Sequence, residues 1–368
     1  MPTRRAILTG AAGVLALGAG GTALYSRGQA DRYTDYAARL RAPLESDAGV
    51  AGLVRYACLA PNSHNTQAWQ FVMNGSRVDI LPDFSRRTPV VDPDDHHLYV
   101  SLGCALENLL LAAENRGLSG KATLIEEGRG GVSVVLAVDD VAVDPLEQAL
   151  FDAIPRRQST RSVYSGAPVA ADHLATLGRV SRVSGVRLSM LTERTMIDRI
   201  RDLVVEGNGL QMDDPAFLRE LRDWIRFSPS AAIETGDGLY AASSGNPSLP
   251  EWVGSIAFRL AFTKSTENDK YARQIDSSAG IAVFAAERSG PAGWIAAGRA
   301  CQRFCLAATA LGLKTAFVNQ PVEVEALRAP LAETAGLSGL RPDIVLRFGY
   351  GDPLPYSPRR PVAEVIRA

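Results

Sequence analysis

The sequence has little cysteine, no excess charge of either sign and no long, strongly apolar run. Four cysteines in 368 residues exclude a disulfide scaffold. Lys and Arg number 39 and Asp and Glu 40, for a formal net charge of −1. No bulk attraction to a polyanion follows from that balance, so nucleic acid is not an expected partner. No stretch is both long and apolar enough for a stable membrane span. Neither a Gly-x-Ser-x-Gly elbow nor a Walker phosphate loop occurs. Cys58 and Cys104 lack a redox spacing, and Cys301 and Cys305, one helical turn apart in an apolar segment, read as core. What is present is a globular composition, 46% hydrophobic and 21% charged. At about 150 residues per domain, the length suits two units.

The first thirty residues read as an address. Thr3-Arg4-Arg5-Ala6-Ile7-Leu8 resembles a twin-arginine export signal, and the uncharged run from Ala6 to Tyr25 carries Gly10, Gly13, Gly18, Gly20 and Gly21. Glycine costs about 1 kcal/mol relative to alanine in a helix, so this run is weakly hydrophobic and weakly helical. The resemblance implies a signal segment over 1–30, the twin-arginine translocase as a partner, and a periplasmic or cell-envelope destination. Cleavage after Gly28-Gln29-Ala30 and an uncut anchor both remain open. That route carries folded proteins, which suits a cofactor inserted before export.

The chain repeats itself. LGCALENLLLAAENRGL, ending at Leu118, and AGRACQRFCLAATALGL, ending at Leu313, align with a constant offset: Gly103 with Gly298, Ala105 with Ala300, Gly117-Leu118 with Gly312-Leu313. Both have helical periodicity and a terminal glycine, and each precedes a β-like run, Val132–Val138 and Ile344–Phe348. Two generic Ala/Leu helices would share some of this. The matched glycines favour a duplicated α+β unit, with residues 31–150 as one half and 151–368 as the other. Tyr33 to Tyr56 is expected to be helical, as are Ala171–Leu177, Thr195–Leu210 and Pro215–Ile225. Trp69 to Leu81 reads as a hairpin turning at Asn74-Gly75. Asp92-Pro93-Asp94-Asp95 reads as a helix start, with Asp as the cap and Pro at the first position. Residues 226–255 are rich in Gly, Ser and Pro and read as a lid-like loop within an insertion over about 205–275. Trp224 and Trp252 flank it as packing residues or as covers for a bound ring.

Four segments carry candidate chemistry. Ala60-Pro61-Asn62-Ser63-His64-Asn65-Thr66-Gln67-Ala68-Trp69 clusters small polar side chains, which suit a planar, heteroatom-rich ligand or a polar turn equally. Arg157-Gln158-Ser159-Thr160-Arg161 places two guanidinium groups and a hydroxyl at alternate positions, able to meet one anion if extended. A basic linker is the alternative. Phe317-Val318-Asn319-Gln320-Pro321 follows the second repeat, and Ser357-Pro358-Arg359-Arg360-Pro361 closes the chain. Asp94-Asp95-His96-His97 suggests a metal only weakly, because adjacent histidines on a helix diverge by about 100°. No metal site is assigned.

The 60–69 segment resembles the Pro-Ser-Ser-x-Asn-x-Gln-Pro-Trp signature of the nitroreductase-like FMN flavoproteins, matching at Ser63, Asn65, Gln67 and Trp69 and departing at Asn62 and Ala68. The second segment resembles that family's Arg-x-Ser-x-Arg phosphate motif, and the last its basic tail, with Ser357 where a lysine is usual. The order of the segments resembles the twin-domain, Acg-type branch. The resemblance implies a nitroreductase-like α+β fold in which two fused halves form an intramolecular pseudo-dimer, monomeric as a chain. It implies FMN held by Arg157, Ser159 and Arg161, by Ser63, Asn65 and Gln67, by Asn319 or Gln320 near the N5 edge, and by Arg359 and Arg360. It also implies two-electron transfer through flavin N5, with no catalytic side chain, from a donor such as NAD(P)H to a small nitro, quinone or similar acceptor. One complete site and one degenerate site are expected. The alternative is a protein that binds and sequesters FMN under a closed lid with little turnover.

Overall fold

The computed structural model of the chain describes residues 28–43, 49–128, 130–139 and 142–367. The twin-arginine motif and its apolar run lie outside these residues. The chain opens with α1 (28–41) and α2 (Gly49–Ala57), followed by the hairpin β1 (Trp69–Asn74) and β2 (Arg77–Pro82). Helix α3 (His96–Glu114) leads to β3 (Leu118–Ile125) and β4 (Gly131–Val138). Helices α4 (Pro145–Ala153) and α5 (Ala171–Val180) precede β5 (Val186–Leu191). An insertion then runs through α6 (Arg194–Met212), α7 (Pro215–Asp223), β6 (Ile225–Arg226), α8 (Pro229–Thr235), β7 (Leu239–Tyr240), α9 (Glu251–Ala261) and α10 (Lys264–Asp276). The chain finishes with β8 (Gly280–Ala286), α11 (Pro291–Ala310), β9 (Lys314–Phe317), α12 (Gln320–Glu323), α13 (Glu325–Thr334), β10 (Ile344–Gly349), α14 (Val362–Val365) and β11 (Ile366–Arg367).

Two antiparallel sheets share one design. The first has the order β1-β2-β4-β3 and the second β5-β8-β10-β9, with a long helix inserted before the last two strands in sequence in each. The C-terminal strand β11 crosses back and adds to the first sheet, parallel to β1, with Phe71 opposite Ile366. The architecture is therefore α+β, and the two repeats identified in the sequence occupy equivalent places in equivalent topologies.

Helices α3 and α11 pack against one another at the centre, each also resting on its own sheet. From His96 to Leu109, α3 is buried without interruption, which is why its apolar residues are spread around the helix rather than gathered in one stripe. A methyl group at Gly103 would sit 2.1 Å from the carbonyl oxygen of Ile295, and one at Gly298 would sit 2.0 Å from that of Val100. Only glycine permits that approach. Polar residues complete the seam: Gln302 donates to Asn108 at 2.6 Å, and Arg299 and Arg303 pair with Glu107, which is 2% exposed.

Three local expectations change. The 33–56 stretch is not one helix: α1 ends at 41 and α2 begins at Gly49. Helix α3 begins at His96, not at Pro93, with Asp95 in a left-handed conformation at φ 59°. Asp92 still supplies the cap, because its carboxylate accepts from the backbone N–H of His97 and of Leu98, both at 3.0 Å. Residues 226–255 are not an open loop. They hold α8, the parallel pair β6 and β7, and the start of α9.

Candidate functional site

The turn between α2 and β1 is strained. His64, Asn65 and Gln67 have φ of 44°, 54° and 53°. Such non-glycine conformations cost of order 1–3 kcal/mol each and persist only where the surroundings enforce them. Here Asn62 Oδ1 accepts from the Gln67 N–H at 2.8 Å, and Asn65 Nδ2 donates to the carbonyls of Gly238 and Pro358, both at 3.0 Å. Gln67 Nε2 donates to Gly236 at 2.8 Å while its Oε1 accepts from the Arg360 N–H at 2.9 Å. The polar side chains of this motif thus bind the turn to the insertion and to the C-terminal tail.

The Arg157–Arg161 segment runs beside β9, with Thr160 N–H donating to Thr315 at 2.8 Å. Thr160 is buried, and its carbonyl accepts from the Tyr164 hydroxyl and from Arg347. Arg157, Ser159 and Arg161 line a narrow chamber of about 40 Å³. Arg41 from the end of α1, Arg359 from the tail and Ser357 line it too. Four arginines therefore converge on one chamber whose wall, among the described residues, contains no carboxylate. Arg157 is 4% exposed; its Nη2 donates to Leu59, while its Nε and Nη1 are buried without a partner. Burial, and then repulsion from Arg41 and from Arg157, push Arg359 down to about 9; burial takes Arg41 down to about 10, with Arg157 adding to it. A buried guanidinium is costly unless acceptors or an anion meet it, and the two unpartnered donors of Arg157 make the chamber suited to an anion.

The chamber adjoins a larger cavity of about 210 Å³, with Pro61, Asn62, Arg161, Leu239 and Phe317 common to both walls. Ser63, His64, His97, Asn319, Gln320 and Glu323 form a polar wall, and Met212, Phe217, Leu221 and Phe262 from the insertion form an apolar one. Three polar atoms on the first wall are buried without a partner: His64 Nδ1, His97 Nε2 and Gln320 Oε1. Burial is the leading cause that lowers both imidazoles to about 4, so both are neutral near pH 7. Burial likewise raises the Glu323 carboxyl.

The ten sequence-nominated residues divide by place. Arg157, Ser159 and Arg161 line the arginine chamber, and Ser63, Arg161, Asn319 and Gln320 line the larger cavity. Asn65 and Arg359 border the chamber, but their polar atoms are already engaged. Arg359 donates to the carbonyls of Cys58, Leu59, Ala60 and Pro358 and to Asn65 Oδ1. Gln67 and Arg360 border neither space; both join the turn to the tail. Trp224 and Trp252 also line neither, and Trp252 is 72% exposed, so it is no packing residue. Asp92, His96 and His97 bring potential ligand atoms within 4.8 Å of one another, but Asp92 caps α3 and His96 Nε2 bonds Asp343 at 2.8 Å. Arg41 carried no sequence signal, because only the folded tail brings it to the chamber. His97 sat in a motif that reads as a helix start.

No family model matches the chain. Among curated proteins, it is 28% identical over 326 residues to a Mycobacterium tuberculosis protein described as a putative NAD(P)H nitroreductase, covering 86% of this chain and 90% of that one. It is 21% identical over 324 residues to a second from the same organism, named Acg, covering 86% and 95%. Among solved structures, the FMN-dependent nitroreductase NfnB from Mycobacterium smegmatis, in complex with NADPH, matches 61% of this chain and 99% of its own at 14% identity with a TM-score of 0.41. A nitroreductase with bound FMN from Desulfitobacterium hafniense matches 60% and 97% at 12% identity with a TM-score of 0.39. Over most of its length, the chain is a sequence relative of the mycobacterial proteins described as putative NAD(P)H nitroreductases, Acg among them.

Proposed function

We propose that the chain is an FMN-dependent oxidoreductase with one cofactor site, assembled between two fused nitroreductase-like halves in a monomeric chain. The observation that carries this reading is the arginine chamber: four guanidinium groups, no carboxylate among the described residues, and two unused donors on Arg157. A phosphate monoester dianion answers that arrangement. Arg157 and Ser159 would hold the phosphate. Arg161 stands where chamber and cavity meet, suited to the negative edge of a ring lying beyond it. Gln320 Oε1 offers an acceptor to a ring N–H, and Ser63 and Asn319 add neutral hydrogen-bonding groups.

When bound, FMN supplies two-electron transfer from a donor such as NAD(P)H to a nitro, quinone or similar acceptor. This chain's residues bind, orient and exclude water. The apolar wall of Met212, Phe217, Leu221 and Phe262 fits a flat, uncharged acceptor. Export by the twin-arginine route, with the protein in the periplasm or envelope, belongs to the same proposal.

The test is titration of the purified full chain with FMN, followed by anaerobic NADPH and then dithionite. Uptake of FMN that is bleached by NADPH supports the oxidoreductase. The insertion that roofs the cavity favours one second reading, an FMN-sequestering protein; flavin that resists NADPH and yields only to dithionite would favour it. A chain that binds no FMN refutes both.

A further inference from the structure

Helix α1 lies ahead of the hairpin and of both sheets, yet it contributes Arg41 to the wall of the arginine chamber. Its docking is specific. The Tyr33 hydroxyl donates to the Tyr356 carbonyl at 2.6 Å, and the Tyr36 hydroxyl donates to that of Arg359 at 2.7 Å. Arg359 N–H donates back to the Tyr36 hydroxyl at 3.2 Å. The Arg41 guanidinium lies 4.0 Å over the Tyr356 ring, and its Nη2 donates to Ser357 at 3.3 Å. At the C-terminal end of the helix, Arg55 from α2 donates to the carbonyls of Arg39, Leu40 and Ala42. The helix thus straps the tail segment that carries Ser357 and Arg359, and it inserts its own arginine beside them.

The strap is held mainly by polar contacts and has little apolar anchoring. Its buried apolar contacts form a small cluster, Tyr33 and Ala37 with Ala232 and Tyr240, separate from the main core around α3 and α11. Small satellite clusters open more readily than the global fold. The charge arrangement opposes closure in the absence of an anion, because docking α1 brings Arg41 toward Arg157 and Arg359. A bound dianion reverses the sign of that contribution.

We propose that Arg41 is a phosphate ligand of the cofactor and that α1 is a clasp, latched through Arg41 when the phosphate is in place. The inference rests on the FMN reading and adds to it a residue and a moving element. It separates the two parts of the cofactor: the phosphate closes the clasp, and the ring does not. Riboflavin, which has the ring alone, should leave α1 unlatched. A ligand that binds the closed form but not the open form stabilises the closed form by mass action, so the clasp's opening constant should fall with FMN concentration.

The experiment is amide hydrogen exchange over residues 28–41 in the full chain, alone and with FMN, riboflavin or inorganic phosphate, together with equilibrium binding of FMN and riboflavin. FMN is expected to slow exchange in α1 at least tenfold, and riboflavin to leave it unchanged. Arg41→Ala should weaken FMN binding by at least tenfold, leave riboflavin binding within twofold, and abolish the FMN-dependent protection. Arg41→Gln, which removes the charge but keeps an amide donor on the side facing the Ser357 carbonyl, should behave like Arg41→Ala toward FMN while keeping the ligand-free exchange of α1 closer to wild type than Arg41→Ala does. Wild-type FMN affinity in Arg41→Gln, or equal protection by riboflavin, overturns the clasp alone. Failure of the wild-type chain to bind FMN overturns the cofactor reading, and the clasp falls with it.

Discussion

Gly103 and Gly298 each lie against the backbone of the residue three positions before the other, Gly103 on Ile295 and Gly298 on Val100. A two-fold relation between the two repeats would produce that reciprocity. It explains why the glycines recur at matched places in the two repeats: each serves the close approach of the opposite helix. Ala in place of either must push a carbonyl oxygen out from about 2 Å. Gly103→Ala and Gly298→Ala should each destabilise the chain by about 3 kcal/mol, the upper end of ordinary overpacking, because backbone rather than a flexible side chain must yield. The double variant should cost less than the sum, since one separation of the helices relieves both clashes. Urea unfolding of the three variants checks this, and additive losses would contradict a shared seam.

Much of the fold was legible because its signals are local. The Asn74-Gly75 turn gave the hairpin β1 and β2, with Gly75 at φ 58°. The terminal glycines marked α3 and α11, and the apolar runs marked β4 and β10. Strand β3 escaped notice because Ser119-Gly120-Lys121-Ala122-Thr123-Leu124 has little β-branched character and is mostly half-exposed to exposed. Strand β9 is four residues long, too short for a pattern. The site was legible in residue type but not in partner. Asn65, Gln67 and Arg359 are polar for a reason, yet the reason is backbone carbonyls of segments far away in sequence. Arg41 reaches the chamber only because the tail returns to it more than 300 residues later.

Arg157 and Arg360 provide a matched contrast for the anion site. Arg157 lines the chamber with two unused donors, whereas Arg360, though its Nη1 is also unpartnered, stands outside the chamber and reaches Glu364. Arg157→Met preserves apolar volume and removes the charge. It should lower FMN affinity at least thirtyfold, about 2 kcal/mol of charge-assisted hydrogen bonding. Arg360→Ala should change it less than threefold. Fluorescence titration with FMN measures both, and the opposite ranking would move the phosphate out of the chamber.

Gln67 is fully buried and joins three segments through its amide. Gln67→Ala leaves the Gly236 carbonyl and the Arg360 N–H unpaired, each at a cost of about 1–3 kcal/mol when buried. A loss of about 3 kcal/mol in unfolding free energy is expected. FMN, once the variant is folded, should still bind, because Gln67 borders neither space. A variant of wild-type stability that fails to hold FMN would instead make this side chain a ligand.

His64 sets a pH dependence with a definite sign. Burial, with Arg161 and His97 adding to it, lowers its imidazole to about 4 from the ordinary 6.5. Between those values the unfolded chain takes up a proton at this residue and the folded chain does not. Stability therefore falls as pH drops through that window, by up to about 1.4 kcal/mol per pH unit from this group. His64→Asn removes the titration and suits the left-handed backbone, where asparagine is tolerated better than most residues. Going from pH 7 to pH 5, the wild-type chain should lose about 2 kcal/mol more than this variant. Chemical denaturation at the two pH values measures the difference. Equal losses would mean that His64 titrates in the folded protein as it does in the unfolded chain, and at pH 5 the polar wall of the cavity would then carry a cation where the structure has a neutral ring.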